Sequence, residues 1–404
     1  MNNFVRNFMK QKFVHTYWLH LLIASVLVVC GCGGGGGGGG GGGKTPTPTP
    51  TPSTVNSIIE SGGNSNCRID SNNALACWGL NDAGQLGIGS SVTSTATPTG
   101  VNLGSGKTAK QVAIGVAHTC AILNDDSVSC WGSNSLGQLG QALTTLSSSS
   151  PVPVSGVTAK ALALGLSHTC AIIAADNTVQ CWGSNGKGQL GVATSAGIAA
   201  SSSPLTISGL KAKSIQSGYD YICAIATDDT VQCWGDNQYG QLGNASTADS
   251  SVVVTATGLS GATHLTAGAY HTCASTASGI SCWGQNSAGQ LGSNGTSDQN
   301  SPTPTTTSLS GATQLAAGLD HTCALSAAGL ECWGSNAYGQ LSGSTTGGVG
   351  LVAVTLTNPT SVSAGSNHTC AQAGSDQTYC WGAGGSGRLG PNASADSATP
   401  VLVP

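Results

Sequence analysis

The sequence predicts an all-β chain arranged as a ring of seven small sheets. Three observations carry that prediction. From about residue 55 the chain repeats itself: Cys-Trp-Gly recurs at Trp78, Trp131, Trp182, Trp234, Trp283, Trp333 and Trp381, in steps of 53, 51, 52, 49, 50 and 48 residues. Each unit alternates short apolar runs with Asp, Asn and Gly turns, as in ALALGLSHTCAII followed by Ala175-Asp176-Asn177 and TVQCWG. Aromatics are only 4% and charged residues 7% of the chain, so no core of large side chains is available. One unit of three or four short strands cannot bury both faces of its sheet. A closed ring of them can, which is the logic of a β-propeller with blades of about fifty residues.

The elements follow in chain order. Residues 1–18 are polar and mildly basic, and residues 19–29 (LHLLIASVLVV) form an apolar run. That run is shorter than the ~20 residues a bilayer span needs and fits the core of a secretory signal. The junction VVCGCGGGG resembles a bacterial lipobox, in which a small residue precedes a Cys that takes a diacylglyceryl group. Gly31 precedes Cys32, and the bulkier Val29 precedes Cys30, so Cys32 is the expected lipidation site and Cys30 the alternative. The competing reading is an ordinary cleaved signal with two unrelated Cys. Gly33 gives no acidic retention signal, which favours the outer membrane of a two-membrane bacterium. Poly-Gly from Gly33 to Gly43 and the Thr-Pro run ending at Pro52 make a flexible linker. The expected organisation is a lipoprotein signal over 1–32, a disordered linker over 33–54 and a propeller over 55–404.

Ring closure is expected from repeat phase. A Pro- or Val-rich strand precedes most repeats, as in PVPVSG at 151–156, and repeat one lacks it. The run ATPVLVP at 398–404 supplies the missing piece, so the C-terminal strand is expected to complete the first blade.

Fourteen Cys remain after the leader, in one pair per repeat: Cys67–Cys77, Cys120–Cys130, Cys170–Cys181, Cys223–Cys233, Cys273–Cys282, Cys323–Cys332 and Cys370–Cys380. The spacing varies only in the hairpin turn, so each pair can stay directly opposed, where a disulfide fits. No C-x-x-C occurs, and zinc sites place Cys two to four residues apart. The residues call for no metal and no cofactor. Structural disulfides also fit export to an oxidising compartment.

The ordered submotifs G-x-x-H-[ST]-C-A, C-W-G-x-N and G-Q-L-G recur across 55–404. This pattern resembles the regulator of chromosome condensation repeat family. The resemblance implies a seven-bladed propeller that binds proteins through loops on one face. One eukaryotic member of that family is a guanine-nucleotide exchange factor, and other members are exported bacterial proteins. The chain departs from the pattern at Ser65 and Tyr221 in place of His, Ser342 in place of Gly, and Gly384 and Arg388 in place of Asn and Gln.

His118, His168, His271, His321 and His368 each precede a Cys by two residues. A Cys-His pair suits nucleophilic chemistry, but recurrence in five blades defines no single site and points to a structural role. Outside the leader, nine Lys and Arg face sixteen Asp and Glu with no basic run, which argues against nucleic-acid binding. The segments after GQLG differ from one another: 141–150, 192–203, 244–251, 293–301 and 343–350. Such loops gather on one propeller face and are the expected binding surface. The expected function is that of a monomeric, lipid-anchored, non-catalytic protein-binding module on the cell envelope or surface. An exchange factor or a cell-envelope enzyme are the alternatives.

Overall fold

The computed structural model describes residues 58–193, 197–293, 295–305, 311–343, 350–374 and 376–404. The leader and linker, with Cys30 and Cys32, lie outside the described residues. Seven four-stranded antiparallel blades follow one another. Blade one is Ile58–Gly62, Ser65–Ile69, Leu75–Leu80 and Ser94–Gly100, and blade seven is Pro359–Ala364, His368–Ala373, Gln377–Gly382 and Ser397–Val403. Within each blade the first strand is innermost, the H-T-C-A strand second, the C-W-G strand third, and a more exposed strand outermost. Blades two, three and four share two long strands, Ser147–Leu164 and Ala200–Ser217. Each runs from the outer edge of one blade into the inner position of the next, passing Gly156 (φ 74°) and Gly209 (φ 76°).

The C-terminal strand corrects the expected closure. Ser397–Val403 pairs with Gln377–Gly382 and so completes the seventh blade, not the first. The physical reason is phase. PVPVSG belongs to the outer strand paired with Ser127–Ser133 of the preceding repeat, and blade one has its own outer strand in Ser94–Gly100. Blades one and seven meet through side chains and loops instead. Ser61 N donates to Ser363 Oγ at 2.8 Å, Ser366 N donates to Gly63 O at 2.8 Å, and Val403 and Leu389 pack with Trp78.

Each submotif has a mechanical reason. The two Cys of a repeat are directly opposed, as Cys120 is to Cys130, with Cα atoms 4.0–4.1 Å apart and sulfurs at disulfide distance. The Gly after Trp sits at a bulge: Gly132 has φ 102°, and a Cβ there would stand 2.5 Å from Ala117 O. The Trp side chains are fully buried and pack against the preceding blade. Burial of about 200 Å² at ~25 cal/mol/Å² gives each about 5 kcal/mol. A hairpin disulfide of this loop length contributes about 2–3 kcal/mol. Contact between blades therefore outweighs the staple within one.

Six of the seven propeller indoles also make a bond. Trp131 Nε1 donates to Gln85 O at 3.0 Å, and Trp182, Trp234, Trp283 and Trp333 donate to Gln138, Gln189, Gln241 and Gln290 at 2.9–3.0 Å. Trp78 closes the ring on Arg388 O at 3.0 Å. The acceptor is a backbone carbonyl, so replacing Gln by Arg388 keeps this bond. Trp381 is the exception: its Nε1 has no partner among the described residues. Blade six ends in Ser342 where the others have Gly. A Cβ on the equivalent Gly87, Gly243 or Gly292 would lie 2.6–2.8 Å from the indole Nε1 it faces. Ser342 carries that Cβ, at φ 70°. Ser342→Gly is expected to stabilise the chain by about 1–2 kcal/mol, by removing the left-handed penalty and freeing the indole to bond. Chemical denaturation would measure this, and an unchanged or lowered midpoint would contradict it.

Candidate functional site

The antiparallel order sorts the loops into two ends. The G-x-x-H turns and the GQLG loops emerge at one end. The hairpin turns between the second and third strands, with the crossovers between blades, emerge at the other.

The recurring His residues belong to neither surface. His118 Nε2 meets Thr169 Oγ1 of the next blade at 2.9 Å, and His271 and His321 meet Thr322 and Thr369 at 2.9 and 3.0 Å. The Thr hydroxyl in turn donates to a GQLG carbonyl, as Thr169 does to Gln138 O at 2.9 Å. Its oxygen therefore accepts from an Nε2–H tautomer. In each of the five His, Nδ1 has no partner among the described residues. The departures keep the relay. Asn66 Oδ1 replaces Thr and takes His368 at 2.7 Å, while Asn66 Nδ2 donates to Arg388 O at 2.8 Å. Ile222 offers no hydroxyl, and His168 meets Ser217 Oγ at 2.7 Å instead. Tyr221 OH donates to His271 O at 2.5 Å and lies 3.1 Å from the Thr272 hydroxyl, which donates to Gln241 O at 3.0 Å. Burial holds His118, His168 and His271 down at about 3 and His321 at about 4.

The loops after GQLG are tied to the Asn of C-W-G-x-N. Asn134 Nδ2 donates to Thr145 O at 2.6 Å, and Asn237 Nδ2 to Ala248 O at 2.9 Å. In blade seven, where Gly384 replaces Asn, the Asp396 carboxylate accepts from Gly384 N at 2.8 Å, as Asp249 and Asp298 accept from Asn237 N and Asn286 N in blades four and five. The described parts of the five variable segments thus belong to the GQLG end. Residues 194–196, 294 and 344–349 of them lie outside the described residues.

A second feature of this end breaks the sevenfold symmetry. Blades four to six place aromatic and acidic residues in the variable positions of G-x-x-H and N-x-x-G. Tyr270 stands edge-on to Tyr219 (centroids 5.5 Å) and to Tyr239 (5.2 Å), and Tyr338 is 42% exposed in the N-x-x-G turn of blade six. Tyr219 and Ser366 of blade seven both line the mouth of the central channel. Asp220 accepts from Gln189 Nε2 at 2.9 Å and Asp320 from Gln290 Nε2 at 3.2 Å. Lys187 is held by Asp236 at 2.7 Å and Asp249 at 2.9 Å. Burial, with Asp236 nearby, pushes Asp220 up to about 6; burial also raises Asp320. Blades one to three add an aliphatic half with Val92, Leu136, Leu143, Leu146 and Leu166 exposed.

The opposite end is different. Lys107 and Lys110 pair with Asp125 and Asp126, and Lys213 pairs with Asp229 at 2.6 Å. Glu60 lines the central channel; burial pushes it up to about 7, against a hydrogen bond from Ser363.

The RCC1-like domain model matches residues 103–404, and the regulator of chromosome condensation (RCC1) repeat model matches 75–122. The chain belongs to the RCC1-like domain family. Among curated relatives, the human probable E3 ubiquitin-protein ligase HERC6 is 30% identical over 166 residues, which is 40% of this chain and 16% of that protein. The ultraviolet-B receptor UVR8 of Arabidopsis thaliana is 29% identical over 185 residues, 45% of this chain and 42% of that one. The chain spans less than half the length of these relatives. Among solved structures, Prp20p of Saccharomyces cerevisiae superposes with TM-score 0.71 at 21% identity, covering 86% of this chain and 87% of that one. Human WBSCR16 superposes with TM-score 0.69 at 22% identity, covering 78% and 86%. At these identities the superpositions show the shared RCC1-like fold. The Prp20p structure was described with that protein's binding to Gsp1p and histones.

The buried His residues make a pH prediction. Each has a folded pKa below its unfolded value near 6.5, so its stabilising contribution is full above that value and is lost as pH falls towards 3–4. His271→Gln removes one such titration while leaving a donor for Thr322. The variant is expected to be less stable than the parent at pH 7.5, and the two stabilities should converge by pH 5. Urea denaturation at both values tests this; parallel pH profiles would contradict it.

Proposed function

We propose that the chain is an exported, lipid-anchored module that binds a protein through the GQLG end of its propeller, and that it is not an enzyme. The observation carrying this reading is that one end alone combines exposed Leu and Tyr side chains with irregular loops. Six of the eight large apolar side chains exposed among the described residues lie there: Val92, Leu136, Leu143, Leu146, Leu166 and Tyr338. Exposed apolar surface rimmed by polar groups marks interaction sites. Tyr is among the residues that dominate interface energetics. The repeated polar groups are engaged in bonds between blades, which argues against a catalytic role for the Cys-His pairs.

The Cys pairs are proposed to be disulfides formed after export, and Cys32, with Cys30 as the alternative, to carry the lipid. The exchange-factor reading rests on family likeness alone.

Two measurements test the proposal. Intact cells treated with a membrane-impermeant thiol reagent should leave the propeller Cys unmodified until a reductant is added, and Cys32→Ala should release the chain from the membrane fraction. Free propeller thiols would remove the export argument. A photocrosslinking residue placed at Tyr338 should yield a defined protein adduct on cells, and one at Lys160, at the opposite end, should not. Adducts from Lys160 alone would reverse the docking assignment.

A further inference from the structure

The charge at the two ends is unequal. The GQLG end carries Asp82, Asp220, Asp236, Asp249, Asp298, Asp320 and Asp396 against Lys187 and Arg388 alone. Both cations are engaged: Lys187 by Asp236 and Asp249, and Arg388 by Gly385 O at 2.7 Å and Asn64 Oδ1 at 2.7 Å. The opposite end carries five Lys among its acidic turns, and three of them are ion-paired. The opposite end also carries seven Asp (Asp70, Asp125, Asp126, Asp176, Asp228, Asp229 and Asp376), so its five Lys offset most of that charge, and the larger acidic excess falls on the GQLG face.

Within that face, Asp220 and Asp320 stand out. Each sits next to the His or Tyr that locks its blade, is partly buried, and is met only by a Gln amide. No ion pair forms at either among the described residues. Burying a carboxylate without an ion pair is unfavourable; burial raises both groups, and at Asp220 it outweighs the opposing charge of Lys187. The Tyr cluster lies beside them. Tyr219 is adjacent to Asp220 in sequence, Tyr270 stands edge-on to Tyr219, and Asp320 occupies the matching turn of the blade after Tyr270. A ring face next to a partly desolvated carboxylate is a site for a cation, because the quadrupole and the charge attract the same group.

Resting on the docking face proposed above, we propose that the partner presents a basic segment, and that one of its Lys or Arg side chains seats against Tyr219, Tyr239 and Tyr270 beside Asp220 and Asp320. The aliphatic half formed by Leu136, Leu143, Leu146 and Leu166 receives the apolar residues of the same partner. The face selects against acidic and nucleic-acid partners by like-charge repulsion.

The test uses the full chain in detergent with two synthetic probes, a tetra-arginine peptide and a tetra-glutamate peptide. Tetra-arginine should bind at low salt and weaken as salt rises, and tetra-glutamate should not bind. Asp220→Asn with Asp320→Asn, and separately Tyr270→Ala, should each weaken tetra-arginine by about tenfold. Tyr270→Phe keeps the ring and should retain binding, which separates the cation site from a folding defect. Asp126→Asn with Asp229→Asn removes the same charge from the opposite end and should change affinity by less than about twofold. Equal loss in that control, binding of tetra-glutamate, or no tetra-arginine binding would overturn the inference. If Tyr338 still crosslinks a protein on cells while tetra-arginine fails to bind, the docking face stands and its basic partner does not. If crosslinking fails as well, both fall.

Discussion

The carbonyl of Gln138 points out of its own blade and accepts two hydrogen bonds from the next, one from the Thr169 hydroxyl and one from the Trp182 indole. The same arrangement recurs at Gln85, Gln241 and Gln290, and at Arg388 with Asn66 and Trp78. A blade of Ala, Val, Leu and Gly has little core of its own. Its Trp completes the neighbour's hydrophobic cluster, and the carbonyl fixes how far that Trp enters. GQLG must therefore be a tight turn that aims one carbonyl sideways, and its last Gly must leave room for an indole.

This constraint also divides the sequence by role. Cys, Trp, His, Thr, Asn and Gln of the repeat are used to hold blades together or to tie down the following loop. What remains free is the set of positions between them. Tyr219, Asp220, Tyr270 and Asp320 fall between Gly and His or Tyr in three successive turns, and Tyr239 and Tyr338 fall between Asn and Gly. A rigid frame thus displays chosen side chains at no cost to the ring. The acidic and aromatic face is the consequence of filling those positions unevenly around it.

The blade count, the hairpins and the opposition of the Cys were readable from the sequence, because period and turn residues report local geometry. The phase of the outer strand was not. Ser147–Leu164 runs without a break from one blade into the next, so composition alone does not mark where ATPVLVP belongs. Pairing with the C-W-G strand decides it. The Tyr and Asp cluster was not legible either, because its residues sit inside the recurring motif and not in the long segments after GQLG. The available signal was variation inside the motif: Val-Ala, Leu-Ser, Tyr-Asp, Ala-Tyr, Leu-Asp and Ser-Asn fill the same two places in blades two to seven. That those places converge at one end of the ring emerges only from the fold. The role of His was legible as structural, but its Thr partner lies a full blade away in sequence.

Hydrogen exchange at the Trp indoles tests the central claim most directly, because each propeller indole reports one contact between blades. Nitrogen-15 spectra of the full chain in detergent should show slow exchange for Trp78, Trp131, Trp182, Trp234, Trp283 and Trp333, whose N–H groups are bonded to the preceding blade. Trp381 should exchange faster and resonate apart from them. Rapid exchange at several of the six, or Trp381 protected like the rest, would mean that the ring is not held by these carbonyls.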